Sequence, residues 1–404
     1  MNPNEIRDEE SAIDTPLNLR EVGRLRVLQA LFDTDSTSRS ELVQITGLSR
    51  ATVSSLVADL LAADLAEESE PDGQTRPTGR PAQSLTLRAP AAYAIGADIG
   101  HQHVRVALCD LNGAPIWNDA VVTDVDRAPG ETLDLTADLI QRALRERNID
   151  QERVLGLGVD IAAPVRVPSG VLEAHGIMPG WVGVQPGAEL QRRTGLPTQL
   201  ANDANAGALA ERRYGAGRNV EDMIYIRLSA GIGAGIISGG QPLHGSGGLA
   251  GEIGHIRSAP DGRVCRCGNR GCLETVASPV AIARLLENSW GYPVAVSDLL
   301  PLIKAGDRGA VHALQDAAEE IGRVLANLVT MLNPELIVVG GDLARAGERL
   351  IEPITRAIRR YALAPAAEAV QITSGQLGDH AEVLGAAGMV LADAPRLLTA
   401  ALAR

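Results

Sequence analysis

The sequence predicts an α/β protein in which a small N-terminal helix-turn-helix domain precedes a larger two-part body. Three observations predict this class. Three short helical patterns with a glycine turn open the chain, strand and helix patterns alternate from Tyr93 onward, and three of the four cysteines lie close together between Cys265 and Cys272. With 404 residues the chain is long enough for two or three domains that each bury a core.

Composition and charge indicate a globular cytoplasmic protein. Apolar residues make up 45% of the chain, and no run of about 18 apolar residues is present, so we expect no membrane insertion. The start lacks the apolar stretch of a signal peptide, and residues 1–17 are expected to form a disordered acidic tail. A formal charge of −13 argues against a protein that coats nucleic acid non-specifically, although the charge of a small domain can differ locally.

Residues 18–90 show the pattern of a winged helix-turn-helix domain that binds DNA. Three short helices are predicted, and each begins at a polar residue that can accept hydrogen bonds from the first turn: Asn18, Ser38 and Ser49. Gly47 supplies the turn before the third helix. Strand patterns at 65–68 and 84–87 flank a Gly-Arg-Pro segment, and together they predict a wing.

Apolar residues at helical spacing predict the buried side of each helix. The predicted sets are Val22, Leu25, Leu28, Leu31 and Phe32 in the first helix, Leu42 and Ile45 in the second, and Val53, Leu56, Val57 and Leu60 in the third.

Polar side chains on the outer side of these elements are expected to contact DNA. The side chains that can reach phosphates or base edges are Arg39, Arg50, Thr52, Ser54 and Ser55. Arg80 of the predicted wing can enter a narrow A·T-rich minor groove, where the potential is most negative. A three-helix adaptor or dimerisation domain would show the same periodicity, so that alternative stays open.

From Tyr93 the pattern changes to strands and helices. Strands are predicted at 94–100, 104–110, 116–122 and 154–161, and helices at 134–148 and 188–194. Asp203 follows a strand predicted over 198–201, at a strand-to-helix junction where α/β folds place chemistry. An ordinary helix cap has the same signature.

The second half repeats this theme around the glycine-rich turn at 229–235. A strand at 223–228 leads into the turn, and a strand at 336–339 follows the helices near the end of the chain. Helices are predicted at 278–289, 296–305, 309–331 and 381–392.

A histidine and three cysteines have the composition of a structural zinc site. One imidazole and three thiolates, from His255, Cys265, Cys267 and Cys272, make a closed tetrahedral shell. Gly268 lets the backbone turn between them. A disulfide or free core thiols are the alternatives, but a disulfide would leave an odd cysteine and would not use the histidine.

The residues around this loop resemble the signature of the ROK family of repressors, open reading frames and sugar kinases. The pattern runs from Gly251-Glu252-Ile253-Gly254-His255 to Cys265-Arg266-Cys267-Gly268-Asn269-Arg270-Gly271-Cys272-Leu273-Glu274. The strand order from Tyr93 resembles the actin-like ATPase fold, of which that family is one branch. The resemblance implies a first lobe at 91–204, with the C-terminal helix at 380–404 packed on it, and a second lobe at 205–379 that carries the zinc loop.

The same resemblance implies a sugar site. Its implied residues are Asn202, Asp203, Glu252, His255 and Glu274, of which the histidine also binds zinc. In kinases of the family the residue that matches Asp203 is the general base, and Ala163 stands where members usually have a glycine beside the sugar.

The phosphate-binding hairpins depart from the kinase pattern. Kinases of the family read Asp-x-Gly-Gly-Thr-Lys, whereas this chain reads Asp98-Ile99-Gly100-His101-Gln102-His103. A side chain at position 101 stands where phosphate needs bare backbone. Ser229-Ala230 also replaces the Gly-Thr of the second hairpin. We therefore expect a body without catalytic residues, in which Asp203 is a vestigial base.

These observations predict a sugar-responsive transcriptional regulator, a repressor of carbohydrate-related genes. We expect a homodimer that binds a pseudo-palindromic operator and a monosaccharide or sugar derivative. One alternative is an active ATP-dependent sugar kinase with an appended DNA-binding domain. Another is a regulator whose ligand is a partner protein.

Overall fold

The computed structural model describes residues 18–34, 36–69, 83–172 and 176–403. These residues form two compact units. The head consists of the described residues up to Ala91 together with those from Asp393 onward, and the body is Ala92–Ala392. The predicted tail at 1–17 and the predicted wing tip, including Arg80, lie outside the described residues.

Three helices form most of the head, and their first turns are capped as predicted. They are α1 (Leu19–Phe32), α2 (Arg39–Thr46) and α3 (Arg50–Ala62). Asn18 and Ser38 each form a capping box with the glutamate three residues later, and the Ser49 hydroxyl accepts a hydrogen bond from the Thr52 amide. Gly47 ends α2 with a φ of 67°, a left-handed conformation that glycine adopts without strain.

The head core agrees with the sequence expectation for α3 and agrees in part for the other two helices. Helix α3 buries the predicted set: Val53, Leu56, Val57 and Leu60. Helix α1 buries Leu28 and Leu31 as predicted, whereas the predicted Val22, Leu25 and Phe32 are only half-buried. Ile45 was expected to pack inside but is 57% exposed, because the short α2 turns Leu42 and Thr46 inward instead.

A small antiparallel sheet completes the head. Its strands are β1 (Thr37–Ser38), β2 (Ala66–Ser69) and β3 (Ser84–Leu87), in the order β1-β3-β2. The sequence predicted β2 and β3 but not the two-residue β1, which is too short to show a pattern.

The first lobe of the body is built on a five-stranded sheet. Its elements are β4 (Tyr93–Ile99), β5 (His103–Asp110), β6 (Pro115–Val122), α4 (Pro129–Arg147), β7 (Val154–Ile161), α5 (Pro186–Thr194) and β8 (Thr198–Asn202). The strand order is β6-β5-β4-β7-β8, with β4, β7 and β8 parallel. Helix α4 begins at Pro129, earlier than expected, because proline fits the first turn of a helix.

The second lobe carries another five-stranded sheet, in the order β11-β10-β9-β12-β13. Its strands are β9 (Met223–Leu228), β10 (Ile232–Ser238), β11 (Gln241–Pro242), β12 (Leu336–Gly340) and β13 (Gln371–Ser374). Its helices are α6 (Asp203–Tyr214), α7 (Glu274–Ala277), α8 (Pro279–Trp290), α9 (Val296–Ala305), α10 (Arg308–Leu332), α11 (Glu348–Tyr361) and α12 (Ala364–Ala369).

Helix α13 (Ala381–Ala392) packs closely on the first-lobe sheet and on α6. Glycines make this approach possible. A Cβ at Gly96 of β4 would lie 2.0 Å from the carbonyl oxygen of Val383, and one at Gly158 of β7 would lie 1.8 Å from that of Ala386. These positions therefore hold α13 against the strands that lead to the site.

The end of the chain does not follow the expectation that 380–404 packs as a whole on the first lobe. Helix α14 (Ala394–Ala401) belongs to the head, where it packs on α1. Pro395 explains the break after α13, because it has no N–H to continue a helical ladder and is accepted in the first turn of a new helix.

Among the described residues no single helix is long and apolar enough to cross a membrane. Helices α13 and α14 reach that length and composition only as a bent pair.

Candidate functional site

A cleft in the body brings together all five residues that the sequence singled out for sugar binding. The cleft opens to solvent, and the space at its walls, open solvent included, is about 440 Å³. The five are Asn202, Asp203, Glu252, His255 and Glu274. The cleft is also lined by Arg227, Arg266 and His101, which the sequence did not assign to it.

Asn202 and Asp203 stand at the junction of β8 and α6, as expected. The Asn202 side chain accepts a hydrogen bond from the Ala204 amide at 2.9 Å and donates one to the Ala163 carbonyl at 3.2 Å. Asn202 therefore caps α6, and this fixes the direction of its neighbour. Asp203 is 7% exposed, and its Oδ2 lies 2.9 Å from Nη1 of Arg227.

Arg227 links the cleft to helix α13. Its Nε lies 2.9 Å from Oε1 of Glu382, which also accepts a hydrogen bond from the Tyr225 hydroxyl at 2.9 Å. Burial alone would lower the pKa of Arg227, but the charges of Asp203, Glu382 and Asp98 outweigh burial and raise that pKa well above its usual value. The guanidinium is therefore a permanent cation between two carboxylates.

The sequence contains one signal for the ion pair of Arg227 and Glu382. Arg227 is the charged residue of the otherwise apolar strand β9, and Glu382 is the charged residue of the otherwise apolar helix α13. A charge inside an apolar element has to be paired when that element is buried. The two residues are 155 positions apart, so nothing local in the sequence connects them.

Two glutamates, Glu252 and Glu274, face the cleft. Glu274 is the last residue of the metal loop, residues 255–274, and Glu252 lies in the turn just before this loop. Burial, followed by the charges of Asp203 and Glu274, raises the pKa of Glu252 to about 7. Glu252 Oε2 lies 3.9 Å from Nε2 of His255. Glu274 forms a bidentate pair with Arg266, with Nε–Oε1 at 2.9 Å and Nη2–Oε2 at 3.2 Å.

The four predicted ligands of the metal loop converge. Nδ1 of His255 lies 3.6 Å from Sγ of Cys265, and the Sγ atoms of Cys267 and Cys272 are 3.7 Å apart. All four ligand atoms lie within 4.8 Å of one another, and none of the cysteines is in a disulfide. This set can hold a metal ion. With Nδ1 directed at the cysteines, Nε2 of His255 remains on the side of Glu252.

The first hairpin, between β4 and β5, is filled by histidine side chains. Nε2 of His103 lies 2.8 Å from Oδ2 of Asp98, and a Cβ at Gly100 would lie 2.3 Å from the His103 ring. His101 lines the cleft, and its Nδ1 lies 2.7 Å from Oδ1 of Asp126. The carboxylate that begins the hairpin therefore already has an imidazole partner.

Asp98 and Asp160 form a buried acidic pair at matched positions on β4 and β7. Burial would raise the pKa of Asp98, but its hydrogen bond to His103 and the charges of His103 and Arg227 lower it. The pKa of Asp160 is raised well above its usual value by burial and by the charge of Asp98. The pKa values of the two carboxyl groups are therefore shifted in opposite directions.

The head shows where the candidate DNA-contacting residues lie. Four of them are exposed along α3: Arg50, Thr52, Ser54 and Ser55. Arg39 is engaged within the head, because its Nε and Nη2 lie 3.0 and 2.7 Å from Oε1 of Glu68 and its Nη1 lies 3.5 Å from the Ser54 carbonyl. Arg39 therefore ties β2 to α3.

Comparison with known proteins places the chain in a family. The ROK family matches residues 94–393. The xylose repressor of Caldicellulosiruptor bescii is 29% identical over 389 residues, covering 93% of this chain and 96% of the relative. A glucokinase of Halalkalibacterium halodurans is 32% identical over 311 residues, covering 73% of this chain and 94% of the relative.

A solved structure is similar over head and body. It is the crystal structure of a ROK family transcriptional regulator described as a homologue of the Escherichia coli MLC protein. Its TM-score is 0.79 at 27% identity, and the match covers 95% of this chain and 99% of that one. The family match over most of the chain, together with these relatives, shows that the chain belongs to the ROK family.

Proposed function

We propose that this chain is a sugar-responsive, DNA-binding transcriptional repressor of carbohydrate-related genes. The observation that carries the proposal is the extent of the similarity. The xylose repressor and the solved regulator match 93% and 95% of the chain, whereas the glucokinase match covers 73%. The predicted function agrees with these relatives.

In this proposal the head binds operator DNA. The exposed polar face of α3 carries Arg50, Thr52, Ser54 and Ser55, whose side chains suit phosphates and base edges. Arg39 would have to leave Glu68 to take part. The predicted minor-groove contact of Arg80 remains part of the proposal.

The body binds a sugar in the cleft. The carboxylates of Asp203, Glu252 and Glu274 accept hydrogen bonds from hydroxyl groups, and the Asn202 amide can serve as donor or acceptor. The geometry supports this role, because these side chains line one cleft together with His255.

The metal of the His255 and cysteine set is proposed to be zinc with a structural role. Tetrahedral zinc with Zn–S bonds of about 2.3 Å and a Zn–N bond of about 2.0 Å separates two sulfurs by about 3.8 Å and a sulfur from a nitrogen by about 3.5 Å. The observed separations are 3.7 and 3.6 Å. The chain supplies four ligands, so no position is left for a reacting water.

The body is proposed to lack kinase activity. Phosphoryl transfer depends on backbone and cations that hold the phosphates. In this chain His103 binds Asp98, and His101 stands in the cleft. Arg227 also pairs with Oδ2 of Asp203, the residue that stands in the place of the base.

An ATP-dependent sugar kinase with an appended head is the second candidate, and the glucokinase relative favours it. A coupled ADP-release assay with full-length protein, ATP, magnesium and a panel of hexoses and pentoses separates the two. The regulator proposal expects no sugar-dependent ADP release above that of a Gly100→Trp control.

The protein is proposed to act in the cytoplasm as a homodimer on a pseudo-palindromic operator, because one winged head reads one half-site. An operator fragment can be selected in vitro from genomic DNA with the full-length protein. In mobility-shift titrations Arg50→Ala should weaken binding by about 1–3 kcal/mol, whereas Arg359→Ala on α11 of the body should not. Equal binding by both variants would contradict the assignment of α3.

A further inference from the structure

Arg266 lies on the metal loop, and its side chain enters the cleft. Its neighbours on both sides, Cys265 and Cys267, belong to the four-ligand metal set. Its carbonyl oxygen packs against Gly176, where a Cβ would lie only 1.9 Å away. The backbone of Arg266 is therefore held in place, and its guanidinium extends from a fixed point.

The guanidinium is oriented by Glu274. The pair uses the Nε–H and one Nη2–H, which leaves three of the five N–H groups of an arginine. The described residues offer those three groups no hydrogen-bond partner, and the Arg266 side chain is 29% exposed. Within the described part of the chain, the Arg266 fork that lines the cleft thus keeps three donors without a partner.

This pair changes what the cleft can accept. The Glu274 carboxylate also accepts a hydrogen bond from the Ile232 amide at 3.4 Å, so both of its oxygens are engaged. Asp203 is likewise paired, with Arg227. Glu274 is therefore balanced by Arg266, whereas the charge of Arg227 is shared between Asp203 and Glu382.

We propose that Arg266 makes the cleft selective for a sugar that carries an anionic group, either a phosphate ester or a carboxylate. The planar fork of arginine matches the oxygens of both groups. Glu274 holds the fork so that its free edge faces the ligand. The inference rests on the proposed function, because it names the class of sugar that the same cleft binds.

Isothermal titration of the full-length protein tests this selectivity. The probes are D-glucose, D-glucose 6-phosphate and D-glucuronate, the same set built on N-acetyl-D-glucosamine with its 6-phosphate, and inorganic phosphate alone. At least one anionic sugar should bind about 10-fold or more tightly than its neutral parent, since hydrogen bonds to charged groups are stronger than neutral ones. The phosphate and carboxylate probes distinguish the two sources of charge.

Variants of two arginines on the metal loop show whether Arg266 causes the preference for an anionic sugar. Arg266→Gln should remove the preference for the anionic sugar, and Arg266→Lys should retain part of it, because the charge remains while the fork is lost. Arg263→Gln makes the same charge change at an exposed residue outside the cleft and should leave the preference intact. Unchanged metal content shows that each variant has kept the loop.

The outcomes separate this inference from the proposed function. If neutral sugars bind as tightly as their anionic forms, or if Arg266→Gln keeps the preference, the inference is wrong and the sugar-binding proposal stands. If only inorganic phosphate binds, or if no probe binds, both the selectivity and the sugar-binding role of the cleft are contradicted.

Discussion

At the scale of single residues, Arg227 is the side chain on which the cleft depends most. It is buried between Asp203 and Glu382, so its removal leaves two carboxylates without their cation. Arg227→Met should lower the free energy of unfolding of the body by about 3–5 kcal/mol, the usual result of breaking a buried ion pair on one side. Urea unfolding measures the loss. The exposed Arg359→Met serves as the control, and an equal change in both variants would contradict this role.

The pair of His103 and Asp98 predicts a pH dependence. The hydrogen bond to Asp98 is the largest effect on the pKa of His103, and it raises that pKa above 6.5 although burial opposes it. A raised histidine pKa stabilises the fold fully below 6.5, and the stabilisation is lost as pH rises through the folded value. The stability difference between wild type and His103→Gln should therefore shrink between pH 6 and pH 9. His312→Gln, at an exposed position, should show no such trend.

Residues of the site differ in how far the sequence could predict them. The metal ligands and the capping residues were found because their partners lie within a few positions of the chain. Arg227 and Glu382 were missed because they lie 155 positions apart and meet only through the packing of β9 and α13. Arg266 lies 8 positions from its partner Glu274 on the same loop, but the motif gives its position no role. Ile45 was misplaced because two residues of a short helix are too few to fix which side faces inward.

At the scale of elements, the metal loop should depend on its ligands. Metal binding to such a set is part of the folding free energy, so Cys267→Ser should lower the zinc content from one per chain and displace Glu274. Elemental analysis and sugar titration measure both effects. Cys109→Ala changes a buried thiol outside the loop and should keep the zinc. Wild-type protein without zinc, or with iron in its place, would contradict the assignment.

Helix α14 makes the head depend on the last residues of the chain. Leu398 is 5% exposed in the head unit, where α14 packs on α1. Leu398→Ala should destabilise the head by about 2–5 kcal/mol through lost burial and a cavity. Hydrogen exchange of the α1 amides should then become faster, while zinc content stays unchanged. The less buried Leu397→Ala is the matched control, and equal exchange rates in the two variants would contradict the contact.

Packing of the whole chain also limits what the sequence predicts. The succession of three strands, a helix and a strand from Tyr93 was predicted from the sequence, and the structure has it. The spatial order of the strands in the sheet was not predicted. The division of 380–404 between body and head could not be read from helical periodicity, since both helices are apolar and only Pro395 marks the break. Removal of residues 1–91 would accordingly expose the side of α14 that packs on α1, so point variants on α3 are the better test of DNA binding.

At the scale of the molecule, the chain passes between head and body twice, at Ala91–Ala92 and at Ala392–Asp393. The second passage is the end of α13, which carries Glu382 and thereby touches Arg227 and the cleft. A sugar can shift the protein between states only through a difference in its affinity for them. We expect it to act on the Asp203–Arg227–Glu382 chain and so to change operator affinity by about 5- to 150-fold.

The most direct test is the operator affinity of the full-length protein, measured by fluorescence anisotropy with and without the tightest-binding sugar. ADP release is recorded in the same samples. The account predicts that the sugar shifts operator affinity in the wild type, that Asp203→Asn weakens this shift, and that neither protein consumes ATP. Sugar-dependent ATP consumption by the wild type that is lost in Asp203→Asn, with no change in operator affinity, would show that the chain is a kinase.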